Sequence, residues 1–287
     1  MSADQDILVE LTRDELLELK VKYCSFDDAY YVYTLIDSAL RWWGNKELTI
    51  TSPGDSWRRD GSVVVFFERD FPAVFAYSLD KSCEKICEAL SKTSRIDPAI
   101  PWKFHNIAEE HMNAFLTLFE SLGREVTSND ENNFYKMSIE KAKTLNIELP
   151  EEVYIRKLDR EYAQQMNKVW PHSFENSEKK VGNWIENNVG YGVFLKDGDV
   201  LVSWVLQGTL GHINMLQTEV EYKGRGYGKL ILRVIAKYIA ESGHVPVATV
   251  LTNNVVSNCL FRSQGFEVAK NTYFFKTVPK QMLRNTI

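Results

Sequence analysis

Long apolar runs are missing from this chain, and so are the spacings that would make its cysteines and histidines chemically informative. No run approaches the ~18 consecutive apolar residues of a membrane-crossing helix, so no membrane partner is expected. The opening MSADQDILVELTRDELLELK is acidic, with neither an Arg-rich nor an apolar targeting character. It reads as neither a secretory nor a mitochondrial signal, and a cytoplasmic location is expected. Of 4 cysteines, Cys83 and Cys87 stand at i, i+4, one helix face, a spacing that suits packing and not a C-x-x-C redox or zinc pair. The 5 histidines (105, 111, 172, 212 and 244) show no H-E-x-x-H or comparable spacing, so no metal is expected. Positive charge is not in excess either. The 34 Lys and Arg against 39 Asp and Glu give a net charge of -5, which argues against an extended nucleic-acid surface.

What the chain does have is core material. Hydrophobic residues make up 44% and aromatics 12% of 287 residues, ample for two domains or one large one. In the first half, 7–11 reads as a short strand, followed by helices from Arg13 and over 27–43. The Val/Phe run 61–70 is the clearest buried strand, and 71–79 is its neighbour. Residues 81–93 and 109–123 carry apolar residues at helical spacing, with Gly123 placed to end the second helix. Residues 132–139 read as a strand.

Polarity rises over 140–152 and Pro150 punctuates, which sets a boundary between 1–148 and 149–287. Beyond it the pattern is regular. A strand at 153–158 is followed by a helix capped by Asp159, a second helix over 177–188, and a hairpin over 191–208 turning at Asp197-Gly198. Next come a strand over 212–220, a helix over about 227–242, a strand over 245–251, a helix over 254–265 and a strand over 273–278. This is an α/β arrangement, and no sequence repeat links the two halves.

The stretch VEYKGRGYGKLILRVIAKYIA (220–240) sets Gly224, Gly226 and Gly228 directly before a periodic apolar helix. A helix N-terminus exposes unpaired N–H groups and about half a positive charge. Glycines there admit positive φ and let a bulky anion approach the backbone. Lys223, Arg225 and Lys229 add positive charge. Neither the P-loop G-x-x-x-x-G-K-[ST] nor the dinucleotide G-x-G-x-x-G is present. By itself the motif admits two readings, a phosphate cradle or a glycine-rich turn with no ligand.

The unit from Ile213 to Phe266 resembles the core of the GNAT acyltransferase superfamily. Its acyl-CoA loop, Q/R-x-x-G-x-G/A, is matched by Lys223-Gly224-Arg225-Gly226-Tyr227-Gly228 with lysine in first place. The second signature is matched by Asn254, Ser257, Phe261 and Gly265-Phe266. Within the superfamily, 166–170, 203–228 and the Val-rich strand of the first half resemble the glycine N-acyltransferase-like (FR47-like) proteins. The resemblance implies a C-terminal GNAT domain with a mixed, mostly antiparallel sheet flanked by helices, and an N-terminal α/β lobe that is a degenerate copy. It also implies an acetyl-CoA or other acyl-CoA co-substrate and transfer of the acyl group to a small amine such as glycine. A non-catalytic acyl-CoA sensor and a protein or peptide N-acetyltransferase stand as alternatives.

By the same resemblance, the strand end Leu216, Gln217, Thr218 and Val220 supplies backbone donors to the pantetheine arm and thioester. Lys223, Arg225, Gly226, Tyr227, Gly228 and Lys229 hold the pyrophosphate, and Asn254, Ser257 and Phe261 lie on the other side. Direct attack by an amine needs a proton acceptor. His212, at a position where relatives carry glutamate, is either that base or a hydrogen-bonded histidine at a strand start. Glu219 and Glu221, close to the loop, are further candidates, each open to being a solvated carboxylate instead. Phe261 stands where many relatives place a proton-donating tyrosine and cannot donate. The CoA thiolate then leaves unassisted, or Tyr227 or a water serves. Trp170, Trp184 and Trp204 either wall a pocket or fill the core, and Cys259 reads as a small packing residue.

Overall fold

A computed structural model describes residues 6–45, 47–67 and 72–284. Residues 68–71, the end of one expected strand and the start of the next, lie outside them. The chain divides into two compact units, residues 1–133 with 270–287, and residues 134–269. Pro150, where the sequence suggests a boundary, falls inside the second unit.

The first unit contains β1 (Leu8–Glu10), α1 (Arg13–Tyr23), α2 (Tyr30–Arg41), β2 (Leu48–Pro53), α3 (Ser56–Asp60), β3 (Val63–Phe67), β4 (Ala73–Tyr77), α4 (Glu84–Lys92), β5 (Trp102–Ala108), α5 (Met112–Ser121) and most of β6 (Arg124–Lys136). α1 opens with a reciprocal capping box between Thr12 and Glu15, the local reason it starts where it does. β1, β2, β3 and β4 pair antiparallel in turn. β5 then joins β4 in parallel at only two registers, Ala73 with Lys103 and Val74 with Phe104.

The second unit contains α6 (Ile139–Lys143), β7 (Val153–Lys157), α7 (Ala163–Lys168), α8 (Ser177–Asn187), β8 (Gly190–Leu195), β9 (Leu201–Gln207), β10 (Ile213–Thr218), α9 (Tyr227–Glu241), β11 (Val247–Leu251) and α10 (Val255–Ser263). β12 (Glu267–Pro279) starts in this unit; its end and α11 (Lys280–Arg284) belong to the first. β7 to β10 pair antiparallel in turn, and β11 joins β10 in parallel. The core on one side of this sheet gathers Ile231, Leu232 and Ile235 of α9 against Val202, Val205, Ile213 and Ala248. Burying this apolar stripe is what holds α9 to the sheet.

Apart from the five-residue helices α3 in the first and α6 in the second, each unit runs strand, two helices, three strands, helix, strand, helix, strand, with the fourth and fifth strands parallel. This is the two-lobed GNAT arrangement, a duplication that no residue pattern records. Several expectations change in detail. The helix over 27–43 is a 3-10 turn followed by α2, and β2 and β5 have no counterpart in the sequence reading. Both alternate polar and apolar residues beside turn residues, Pro53-Gly54 at the end of β2 and Pro98 and Pro101 before β5. Asp159 makes no side-chain cap; it precedes a 3-10 turn and pairs with Arg156 at 3.4 Å.

Candidate functional site

β10 and β11 pair in parallel at a single register, Ile213 with Ala248. β10 also carries a bulge against β9 between Asn214 and Gln217, where Met215 sits at φ 49. A non-glycine residue in that region is strained by sterics and stays there only because its surroundings impose it. The bulge decides which side chains share a face. Asn214 lies opposite Leu206 and Gln217 opposite Trp204. Leu206 and Trp204 are two apart on an unbroken strand and point the same way. Asn214 and Gln217, three apart, therefore face together. One further alternation at each end adds His212 and Glu219, two of the candidate bases, to that face.

Helix α7 reaches this face. Gln165 Nε2 donates to Glu219 Oε1 at 3.0 Å and to the Leu201 carbonyl at 3.2 Å, which fixes the carboxylate half-buried at the end of β10. His212 is 5% exposed, with Nδ1 3.0 Å from Thr249 Oγ1 and its ring 5.5 Å from that of Phe134. Its Nε2 is buried without a hydrogen-bond partner. Burial alone pushes the His212 pKa down to about 3, so the ring is neutral at pH 7. Asn214, between the two, is exposed, so the face is open there.

On the opposite face, Leu216 packs against the α9 core and Thr218 Oγ1 lies 2.8 Å from Ser203 Oγ. A Cβ on Gly228 would lie 3.5 Å from Thr218 Oγ1, a contact that brings the helix start onto the strand end. Gly224 and Gly226 take φ +80 and +87, and Cβ atoms there would meet nothing within 4 Å. Gly226 is the N-cap of α9 and has no side chain to cap with; the first intrahelical bond runs from Leu230 N to Gly226 O at 3.0 Å. The N–H groups of Tyr227, Gly228 and Lys229 thus have no intrahelical acceptor. Arg225, stacked on Tyr222 at 5.0 Å, and exposed Lys223 and Lys229 surround them. Such a cradle fits a pyrophosphate.

The other candidates are placed differently. Tyr227 is buried, and its hydroxyl donates to Glu152 Oε1 at 2.8 Å, away from the bulge face. Burial and that carboxylate raise its pKa. The Asn254 side chain caps α10, its Oδ1 accepting from Ser257 N at 3.1 Å. Phe261 is buried, stacked on Tyr135 at 5.5 Å. Val220 is 76% exposed beside the loop. Trp204 is buried in the sheet, and Trp170 meets Trp184 at 5.5 Å. Sequence reasoning missed Gln165, Ser203 and Asn214. The first two come from other elements and carry no local signal, whereas an asparagine inside a strand is a mild one. Among the described residues, no three His, Cys, Asp or Glu side chains cluster to hold a metal ion, and no helix is long and apolar enough to cross a membrane.

Residues 190–275 match the family model described as FR47-like protein. No curated protein sequence matches the chain. The chain is similar to a crystal structure of a Drosophila protein, with 22% identity and a TM-score of 0.87, covering 96% of this chain and 100% of that one. It is also similar to a tandem GNAT protein from the clavulanic acid biosynthesis pathway, with 10% identity and a TM-score of 0.58 over 94% and 97%. A GCN5-related N-acetyltransferase from Sphaerobacter thermophilus shows 15% identity and a TM-score of 0.55 over 96% of each chain. The two lobes, the parallel fourth and fifth strands and the 190–275 match converge on one assignment: this chain has the fold of the GNAT superfamily and carries an FR47-like segment.

Proposed function

We propose that the protein transfers an acyl group from acyl-CoA to a small amine by direct attack. The observation that carries this is the pairing of β10 with β11 at one register only, beside a helix start that no side chain caps and that glycines leave uncrowded. In this reading the pyrophosphate rests on the amides of 226–229 and the pantetheine lies between the two strands. The acceptor comes to the bulge face at Asn214, and its nitrogen attacks the thioester carbonyl. A primary amine has a free pKa of ~10, so it must lose a proton before or during attack. Glu219 suits that role: it is half-buried, held by Gln165, and on the same face. His212, neutral and almost wholly buried, is the weaker acceptor and shapes the pocket wall. The C–N bond forms, the C–S bond breaks and the thiolate departs without a tyrosine, because Phe261 has no hydroxyl. A thiol pKa near that of cysteine makes such departure feasible.

Thermal shift with acyl-CoAs, followed by thiol release with an amine panel, tests the proposal. Stabilisation by acyl-CoA and thiol release dependent on the amine are expected, and Glu219→Gln should lower turnover ~10²–10⁴-fold. Stabilisation with no thiol from any acceptor would instead favour an acyl-CoA sensor, the reading that Phe261 supports. No stabilisation by any acyl-CoA would overturn both.

A further inference from the structure

Ser203, wholly buried on β9, sets its hydroxyl between two groups at the end of β10. Its Oγ lies 2.8 Å from the Gln217 carbonyl oxygen and 2.8 Å from Thr218 Oγ1. A carbonyl oxygen can only accept, and serine has a single hydroxyl proton, so that proton goes to Gln217. Thr218 Oγ1 is then the donor to Ser203 Oγ, and the three groups form one directed chain. What the chain fixes follows from the register. The Glu219 N–H donates to the Val202 carbonyl at 2.9 Å, so the Glu219 N–H turns towards β9. Backbone groups alternate in direction along an antiparallel strand, and Thr218, opposite Ser203, turns its N–H and C=O the other way. The strand on that side is β11, whose pairing with β10 is confined to Ile213 with Ala248. No strand register engages the Thr218 N–H. The start of α9 is close to the same residue, since a Cβ on Gly228 would lie 3.5 Å from Thr218 Oγ1.

We propose that Ser203 is a positioning residue for the cofactor: by holding the Gln217 carbonyl and the Thr218 hydroxyl, it aims the Thr218 N–H at a carbonyl oxygen of the pantetheine arm. This rests on the acyl-CoA part of the reading above and not on turnover. Ser203 itself is too deeply buried to touch the cofactor and acts through Thr218. A donor whose direction is set before binding adds no ordering cost when the arm arrives, whereas a loose strand end would lose affinity to that cost. Alanine at 203 would leave the Thr218 hydroxyl without its acceptor and the Gln217 carbonyl with one bond fewer. The pyrophosphate, by contrast, rests on the amides of 226–229, which the packing of α9 holds in place. The two halves of the cofactor therefore depend on different residues.

That separation supplies the test. Calorimetry measures the affinity of acetyl-CoA, and competition measures that of ADP, which carries the pyrophosphate but no pantetheine. The proteins are the wild type, Ser203→Ala, Thr218→Val and the double variant. Each single variant should bind acetyl-CoA about tenfold more weakly, the loss of roughly one hydrogen bond, with ADP within about twofold. The double variant should be no weaker than the weaker single one by more than about twofold, because the hydroxyls act as one chain. Equal losses for acetyl-CoA and ADP would reduce Ser203 to a general folding role and overturn the assignment. No loss for either ligand, or fully additive losses in the double variant, would overturn it as well. All of these outcomes leave the transferase reading intact. A wild type that binds no acetyl-CoA would overturn that reading and this assignment together.

Discussion

The Tyr227 hydroxyl donates to Glu152 Oε1 at 2.8 Å, so the first residue of α9 is tied to the start of β7 and not to the gap between β10 and β11. A tyrosine in the proposed CoA-binding loop invites a role in catalysis; here the ring is buried in the core and the hydroxyl is bonded to Glu152. Tyr227→Phe should therefore lower the thermal midpoint slightly and leave acyl transfer within about threefold of wild type. A collapse of kcat with an unchanged midpoint would place the hydroxyl in the chemistry after all.

Gly226 takes φ +87 with open space where a Cβ would stand, so its replacement is penalised by backbone conformation alone. Gly226→Ala should cost about 1–2 kcal/mol by denaturant unfolding. If the helix start relaxes to escape the strain, the amides turn, and acyl-CoA affinity measured by calorimetry should fall about tenfold or more. An affinity unchanged in the folded variant would remove these amides from the binding site.

His212 makes stability depend on acidity. Its pKa is about 3 in the folded chain against 6.5 for the free side chain. Between those values the unfolded state binds a proton that the folded state does not. Its contribution is thus intact above pH 6.5 and is lost as pH falls toward 3, at up to ~1.4 kcal/mol per pH unit. Buried His111 in the first unit, held at about 4, adds a slope of its own. The informative quantity is the difference between wild type and His212→Asn in urea unfolding between pH 7 and pH 4. The variant should show the shallower acid loss, and parallel curves would mean that His212 protonates freely.

The first unit has a loop at the place corresponding to 223–228, but it is built from Ser78, Asp80 and Ser82. Asp80 accepts from the Ser82 hydroxyl at 2.7 Å and from its amide at 3.0 Å, and these bonds hold the carboxyl below its ordinary pKa. A carboxylate there takes up an amide that would otherwise face a phosphate and repels the phosphate itself. Calorimetric titration should give one acyl-CoA per chain, with Asp80→Asn leaving affinity unchanged. A stoichiometry of two would contradict this.

Much of the second unit was legible in local sequence. The glycines before α9, the Asp197-Gly198 turn and the helix over 255–263 follow from φ preference and 3.6-residue periodicity, which are properties of neighbouring residues. The first unit was less so. β5 is paired with β12, far along the chain, and only the end of β6 (Arg124–Lys136), within the expected strand 132–139, reads as a strand from the sequence. The duplication is written in strand order alone.

The site divides in the same way. That an anion could rest on the backbone at 224–228 was determined by the sequence, because glycine spacing and a helix start are local facts. Which side chains share the proposed acceptor face was decided only by tertiary structure. His212 and Glu219 are seven residues apart, and strict strand alternation would put them on opposite faces of the sheet. The bulge at Met215 reverses that parity, Gln165 from α7 fixes one carboxylate, and burial beside Phe134 neutralises the histidine. Bulges and burial arise from the packing of distant segments, and no short stretch of sequence encodes them.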